Sequence, residues 1–239
     1  MRALALEPEL AEGHAALASI QMSHDWNWRG AEASFRRALA LAPGSVFVLR
    51  GGAFVMGRLG HLDEAIELCQ RAIAQDPLSA VAYNRLASNL NRSGRLIEAE
   101  AASRKALELA PQRAVTHANL ALNLLAQRRG EEALAEAQQE PEEMWRFRAQ
   151  AIIHHAAGRH TESEAALQEL IAKHQVDAAY QVAEVYAARA EADLAFAWLE
   201  RAYVQRDPGL SQMKTEPLFR SLHGDPRWGA FLRKMGFAD

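Results

Sequence analysis

The chain reads as an all-α protein, a solenoid of stacked helix–turn–helix units. Three observations carry this reading. Pro43, Pro77 and Pro111 stand 34 residues apart, and the phrases before them match: RRALALAP, QRAIAQDP and RKALELAP. Apolar and small residues recur at spacings of three and four, the helical period. Alanine is abundant and β-branched runs are few, which favours helix over strand.

The most regular unit spans Ala80 to Pro111 and breaks at Ser93-Gly94-Arg95. Tyr83, Leu86, Ala87 and Leu90 mark the inner face of its first helix; Ala99, Ala102, Ala106 and Leu109 mark that of its second. Small alanines let two helices approach closely. Ser79 is placed to cap the first helix, and Pro111 follows the second, which it could not easily continue.

In chain order, Arg2 to Pro8 copies the end of a second helix, so residues 1–8 read as half a unit. Half a packing face is not a natural beginning, and the expectation is a chain that forms the C-terminal part of a longer protein. The first full unit, about 9–43, has an extra residue in its turn, Ser23-His24-Asp25-Trp26-Asn27-Trp28. The two tryptophans there could meet a partner; the reading favours a lid folded over their own helix pair. The next unit, about 44–77, has Ser45 as its cap, Gly60 in its turn, and Leu49, Gly52, Ala53 and Met56 facing Ala65, Cys69 and Ala72. Then come 78–111 and a shortened unit, 112–141, because Pro111 and Pro141 are only 30 residues apart. A second helix short by about a turn predicts a kink near Gln139–Glu142, as a hinge or as a shaping of the groove. Unit 142–174 is degenerate, and 175–208 closes at Asp207-Pro208. Beyond it, in 209–239, the apolar residues Leu210, Leu218, Phe219, Leu222, Trp228, Phe231, Leu232 and Met235 predict short helices, divided at Pro217 and Asp225-Pro226, that cap the last unit.

A period of 34 with a helix–turn–helix inside resembles the tetratricopeptide repeat (TPR) family. The resemblance covers roughly residues 1–208 and implies a right-handed superhelix of about six repeats plus C-terminal capping helices. The tail DPGLSQMKTEPLFRSLHGDPRWGAFLRKMGF, with HDWNWRGAEASFRRALALAP, is similar to the C-terminal arrays of bacterial multidomain signalling proteins. Those arrays follow an effector such as an adenylate or guanylate cyclase, a winged-helix regulator or a kinase. None of those effector domains is present in these residues.

Composition narrows the function. The net charge is −3 with a sequence pI near 6.3, so no basic face points to direct nucleic-acid binding. No run is long enough to span a bilayer and no signal segment opens the chain, which predicts a cytoplasmic protein. The lone Cys69 lies in a packing row and reads as a buried, inert thiol. No phosphate loop, nucleophile elbow, zinc helix or C-x-x-C pair occurs. His154-His155 with His160, Glu162 and Glu164 is the best metal candidate, but adjacent helical histidines diverge by about 100° and chelate poorly. The acidic pairs Glu131-Glu132 and Glu142-Glu143 sit at helix starts, where the macrodipole accounts for them. The expectation is therefore a non-catalytic chain without cofactor or metal.

In the TPR family the first helices of successive repeats line a concave face, and the resemblance places specific residues there. These are Phe47, Arg50, Phe54 and Arg58 from the second repeat, then Asn84, Ser88, Asn91 and Arg92 from the third. Asn119 lies at the edge of the fourth; Trp145, Arg148 and His155 follow from the fifth, and Tyr180 from the sixth, with Glu184 beside it. Amides can bond a peptide backbone and arginine can fork onto a carboxylate. This predicts an interaction scaffold that holds a peptide or partner helix in the groove, with a homodimer as a further form of association. The second reading is a regulatory segment of a larger bacterial cyclase or transcription regulator. The Lys/Asn/Arg set of the family's carboxylate-clamp subgroup is lacking, so chaperone tails are not an expected ligand.

Overall fold

Helix follows helix because the segments carry apolar stripes and are broken by tight turns, some at glycine or proline and others at a non-glycine residue with positive φ, such as Trp26, Arg128 and Ala190. The computed structural model describes residues 2–237, and of Arg2 and Ala3 the backbone alone. A short α1 (Arg2–Leu6) leads into six helical hairpins: α2 (Ala11–Ile20) with α3 (Trp28–Leu41), α4 (Val46–Leu59) with α5 (Leu62–Gln75), and α6 (Ala80–Arg92) with α7 (Leu96–Leu109). The last three are α8 (Thr116–Ala126) with α9 (Gly130–Ala137), α10 (Glu143–Ala156) with α11 (His160–His174), and α12 (Ala179–Ala188) with α13 (Ala192–Gln205). No strand occurs among the described residues, and the fold is a helical repeat solenoid.

The turns show why the units repeat. Gly60, Gly94 and Gly158 take φ of 97°, 81° and 73° inside their hairpins, a left-handed region that suits glycine. Ser45 accepts the Val48 amide, as the sequence predicts for a cap. Ser79 holds the matching position before α6 but caps nothing. There Asp76, two residues before Leu78, accepts that residue's amide and organises the turn instead.

The irregular fourth hairpin has a specific cause. Helix α9 ends early, and the following turn tucks the Glu140 carboxylate inside, where it is 1% exposed. Its two oxygens accept the Val115 amide at 2.9 Å and the Ala118 amide at 3.1 Å, capping α8 from the far end of its own hairpin. Val115 is held at φ 73°, a costly conformation for a β-branched residue. An anion bonded to the positive end of α8 offsets that cost.

The tail divides into short helical segments at Pro217 and Pro226, as the sequence predicts, but it reaches beyond the last hairpin. Two 3-10 segments, Pro208–Thr215 and Pro217–Leu222, and α14 (Pro226–Lys234) each begin with proline after an acid. Asp207, Glu216 and Asp225 each accept the amide two residues on. Rather than capping the last hairpin alone, the tail reaches back to the first. Trp28 Nε1 donates to the Met235 carbonyl at 2.9 Å, and the indole stacks on Phe237 at 4.2 Å. Trp26 meets Tyr203 of α13 at 5.2 Å, beneath Arg206. The tryptophans therefore do not form a lid over their own helix pair; they dock onto the other end of the chain. Residues from the first, second and last hairpins and the tail form one apolar core, from Ala11 to Phe237.

Substitutions at Trp28 and Gly52 test this packing. Trp28→Ala removes a buried ring and its hydrogen bond and should cost about 3–5 kcal/mol in urea unfolding. Trp28→Phe, which keeps a ring but orphans the Met235 carbonyl, should cost about 1–3 kcal/mol. At Gly52 an added Cβ would lie 2.0 Å from Phe35 Cε2. Gly52→Ala should therefore lower stability by about 1–3 kcal/mol through overpacking; an unchanged midpoint would contradict that helix contact.

Candidate functional site

The inner helices of the second to fifth hairpins curve around a cavity of about 780 Å³. Nine of the residues expected on the concave face line it: Phe54, Arg58, Asn84, Ser88, Asn91, Arg92, Asn119, Trp145 and Arg148. Gln212, Glu216, Pro217, Leu218 and Arg220 of the tail supply a further wall. Arg92 Nη2 donates to Gln212 Oε1 at 2.7 Å, and Thr215 Oγ1 donates to the Gly57 carbonyl at 3.4 Å. The tail thus bounds the groove as well as the end of the array.

Five expected residues lie elsewhere, among them Glu184, buried against Arg148. Tyr180 is fully buried, set edge-on to Phe219 at 5.4 Å, because the tail covers the inner face of α12. A Cβ at Gly209 would stand 2.6 Å from the Tyr180 ring, so the tail's glycine permits that close approach. Phe47, 51% exposed, and Arg50 stand outside the cavity wall, one turn too early on α4. His155 also stands away from it, edge-on to His160 at 5.3 Å. Among the described residues no group of three His, Cys, Asp or Glu is placed to hold a metal ion.

The cavity also has walls that the family positions do not include. Arg85, Arg113 and Asn89 line it. Asn89 sits where Gly57 leaves room, since a Cβ there would meet its Oδ1 at 2.2 Å. It donates to the Ala53 carbonyl at 3.4 Å and faces Cys69 Sγ at 3.8 Å. Cys69 is buried, and burial pushes its thiol up to about 11. Asn123 bridges Asn91 and the Leu96 carbonyl, both at 3.1 Å, fixing the amides of neighbouring hairpins.

Charge sets the character of this site. Arg58 lies over the Phe54 ring at 4.0 Å and Arg85 over the same ring at 4.9 Å, a cation–π arrangement that holds two cations together. Burial first, then Arg92 and Arg85, drives the Arg58 pKa well down. Burial, with Arg50, Arg92 and Arg113 beside it, brings Arg85 to about 10. Both groups stay protonated at neutral pH, so the cavity holds charge that nothing in it neutralises well. Arg148 is different: its Nε lies 2.6 Å from Glu184 Oε2, with both side chains buried. The approach is close but misaligned, and neither group gains a hydrogen bond from it. Burial raises Glu184 to about 8 against the pull of Arg148, with Glu216 and Asp207 adding like charge.

This geometry is where likeness to known proteins becomes informative. Residues 80–113 match the family model of the tetratricopeptide repeat. The match falls on the most regular hairpin, α6 with α7, which contributes Asn84, Arg85, Ser88, Asn89, Asn91 and Arg92 to the cavity. Solved TPR structures share the fold. A thermophilic TPR protein of Thermus thermophilus is 19% identical with a TM-score of 0.63, covering 80% of this chain and 99% of that one. PilW, a widely conserved type IV pilus biogenesis factor, is 18% identical with a TM-score of 0.63, covering 90% and 98%. Pseudomonas aeruginosa pilF is 15% identical with a TM-score of 0.58, covering 90% and 97%. At these identities the likeness is one of fold. No curated protein sequence matches the chain.

Glu184 gives a pH prediction. Its folded pKa, about 8, lies above the ordinary carboxylate value, so the folded chain holds this proton more tightly than the unfolded chain. The resulting stabilisation is complete at acid pH and is lost as pH rises toward 8. Wild type should lose on the order of 1 kcal/mol per pH unit between about pH 5 and 7 relative to Glu184→Gln. Parallel pH profiles of the two melting curves would contradict the burial of an uncompensated carboxyl.

Proposed function

We propose that the chain is a non-catalytic interaction scaffold that holds a partner's peptide segment in its concave groove. The observation that carries this reading is the convergence of nine residues from four hairpins on one cavity. Scattered polar residues on a solvated face would not converge so. Trp145 supplies an aromatic wall, and Asn84 and Asn119 line the same cavity with their amides. Aromatic groups with arginine are the residue types that dominate binding energy at such sites, and amides can satisfy a strand that brings its own unpaired groups. No helix among the described residues is long and apolar enough to cross a membrane.

A regulatory role within a larger bacterial signalling protein is the second reading, and the Arg92–Gln212 contact favours it. An occupant that draws Arg92 away would loosen the tail, and with it the contact between the two ends of the array.

The test is selection from a random peptide display library, followed by titration of the enriched peptides. Asn84→Ala/Asn119→Ala/Trp145→Ala should keep the helical circular dichroism, at a lower melting temperature because Trp145 also packs on a core cluster, and weaken those peptides by at least about tenfold. Enriched peptides that bind the triple variant at full strength would place the interaction elsewhere.

A further inference from the structure

The cavity is more than an open peptide groove, and its charge is not that of the chain. Arg58, Arg85, Arg92, Arg113, Arg148 and Arg220 line it, against Glu216 as the acid on its wall, in a protein whose net charge is −3. Arg148 has Glu184 2.6 Å away and is set apart from the others. Among the described residues Arg58, Arg85, Arg92 and Arg113 enter no ion pair, and the buried Nε atoms of Arg58, Arg85 and Arg113 bond to nothing. Desolvated donors without acceptors are costly to keep. Like charges held together add to that cost, and an anion placed among them relieves both at once.

Shape limits what that anion can be. In an open superhelix the concave face would continue past the third and fourth hairpins. Here Gln212, Glu216, Pro217 and Leu218 close one side of it. The remaining volume, about 780 Å³, lies in the range of small-molecule sites rather than of long peptide channels. Asn84, Asn91 and Asn119 around the arginines offer donors and acceptors for the uncharged part of a ligand, and the Phe54 and Trp145 rings offer it an apolar surface.

We infer that this cavity is a binding site for a small, multiply charged anion, a polycarboxylate or a phosphate compound, gripped by Arg58, Arg85, Arg92 and Arg113. Guanidinium forks match the oxygens of either chemistry. The inference does not depend on a protein partner, and it stands if the peptide reading fails.

The experiment is isothermal titration calorimetry, with thermal melts, on the full chain using citrate, pyrophosphate and ATP, and a hexa-aspartate peptide as the competing occupant. The expected result is saturable binding of at least one small anion, a raised melting temperature, and an affinity that falls steeply with salt. Preference for citrate would name the polycarboxylate source, and preference for pyrophosphate or ATP the phosphate source. Arg58→Gln/Arg85→Gln should weaken binding by at least about tenfold while the ligand-free variant melts no lower than wild type, because a repulsion has been removed. Should that variant misfold, Arg113→Gln provides the same test nearer the loop before α8. Failure of all three small anions to bind at millimolar concentration overturns the inference, as does binding of the acidic peptide alone or undiminished binding by both variants.

Discussion

The hydrogen bond from the Trp28 indole to the Met235 carbonyl, with the Phe237 ring stacked beneath it, joins the two ends of the array. A solenoid is held by contacts between neighbours, so its ends ordinarily know nothing of each other. Here the tail runs from the last hairpin across to the first and packs both into one apolar core. The middle hairpins keep separate, smaller clusters: Ile66, Ala87, Leu90, Ala99 and Ala102 in one, and Ala118 to Ile153 in another. The molecule therefore has a strong clasp at its ends and a looser arc between them. That arc forms the cavity.

The clasp explains the other departures from a plain repeat. Tyr180 lies on the inner face of the last hairpin, where a partner could reach it in an open array; the tail buries it instead. Gly209 has no side chain because Tyr180 occupies the space. The shortened α9 supplies the turn that carries Glu140 to the start of α8, and Arg113 and Val115, just before that helix, line the cavity. Irregularity in the fourth hairpin and closure of the chain thus both shape one concavity and leave its arginines without counter-charges.

Much of this was legible in the residues. The 34-residue spacing and the alanine stripes marked the helices, because helix–helix packing leaves a periodic trace. The first-helix positions of the second to fifth hairpins led to Phe54, Arg58, Asn84 and Trp145. What the sequence concealed were contacts between distant segments. Nothing local in Trp28 says that its partner is Met235, and nothing in Glu140 says that it caps α8 rather than facing solvent. Arg85 escapes the repeat pattern, which counts its neighbour Asn84, although its charge joins those of Arg50, Arg92 and Arg113. A net charge of −3 summed over the chain gave no hint of a basic interior.

The claim on which the account rests is the end-to-end clasp, and hydrogen exchange of the Trp28 indole proton by NMR tests it most directly. This proton should exchange as slowly as the core amides of α3 and α4, since releasing it requires the tail to undock. Exchange at the rate of a solvent-exposed indole, with the α3 amides still protected, would mean that the ends are free and the array is open.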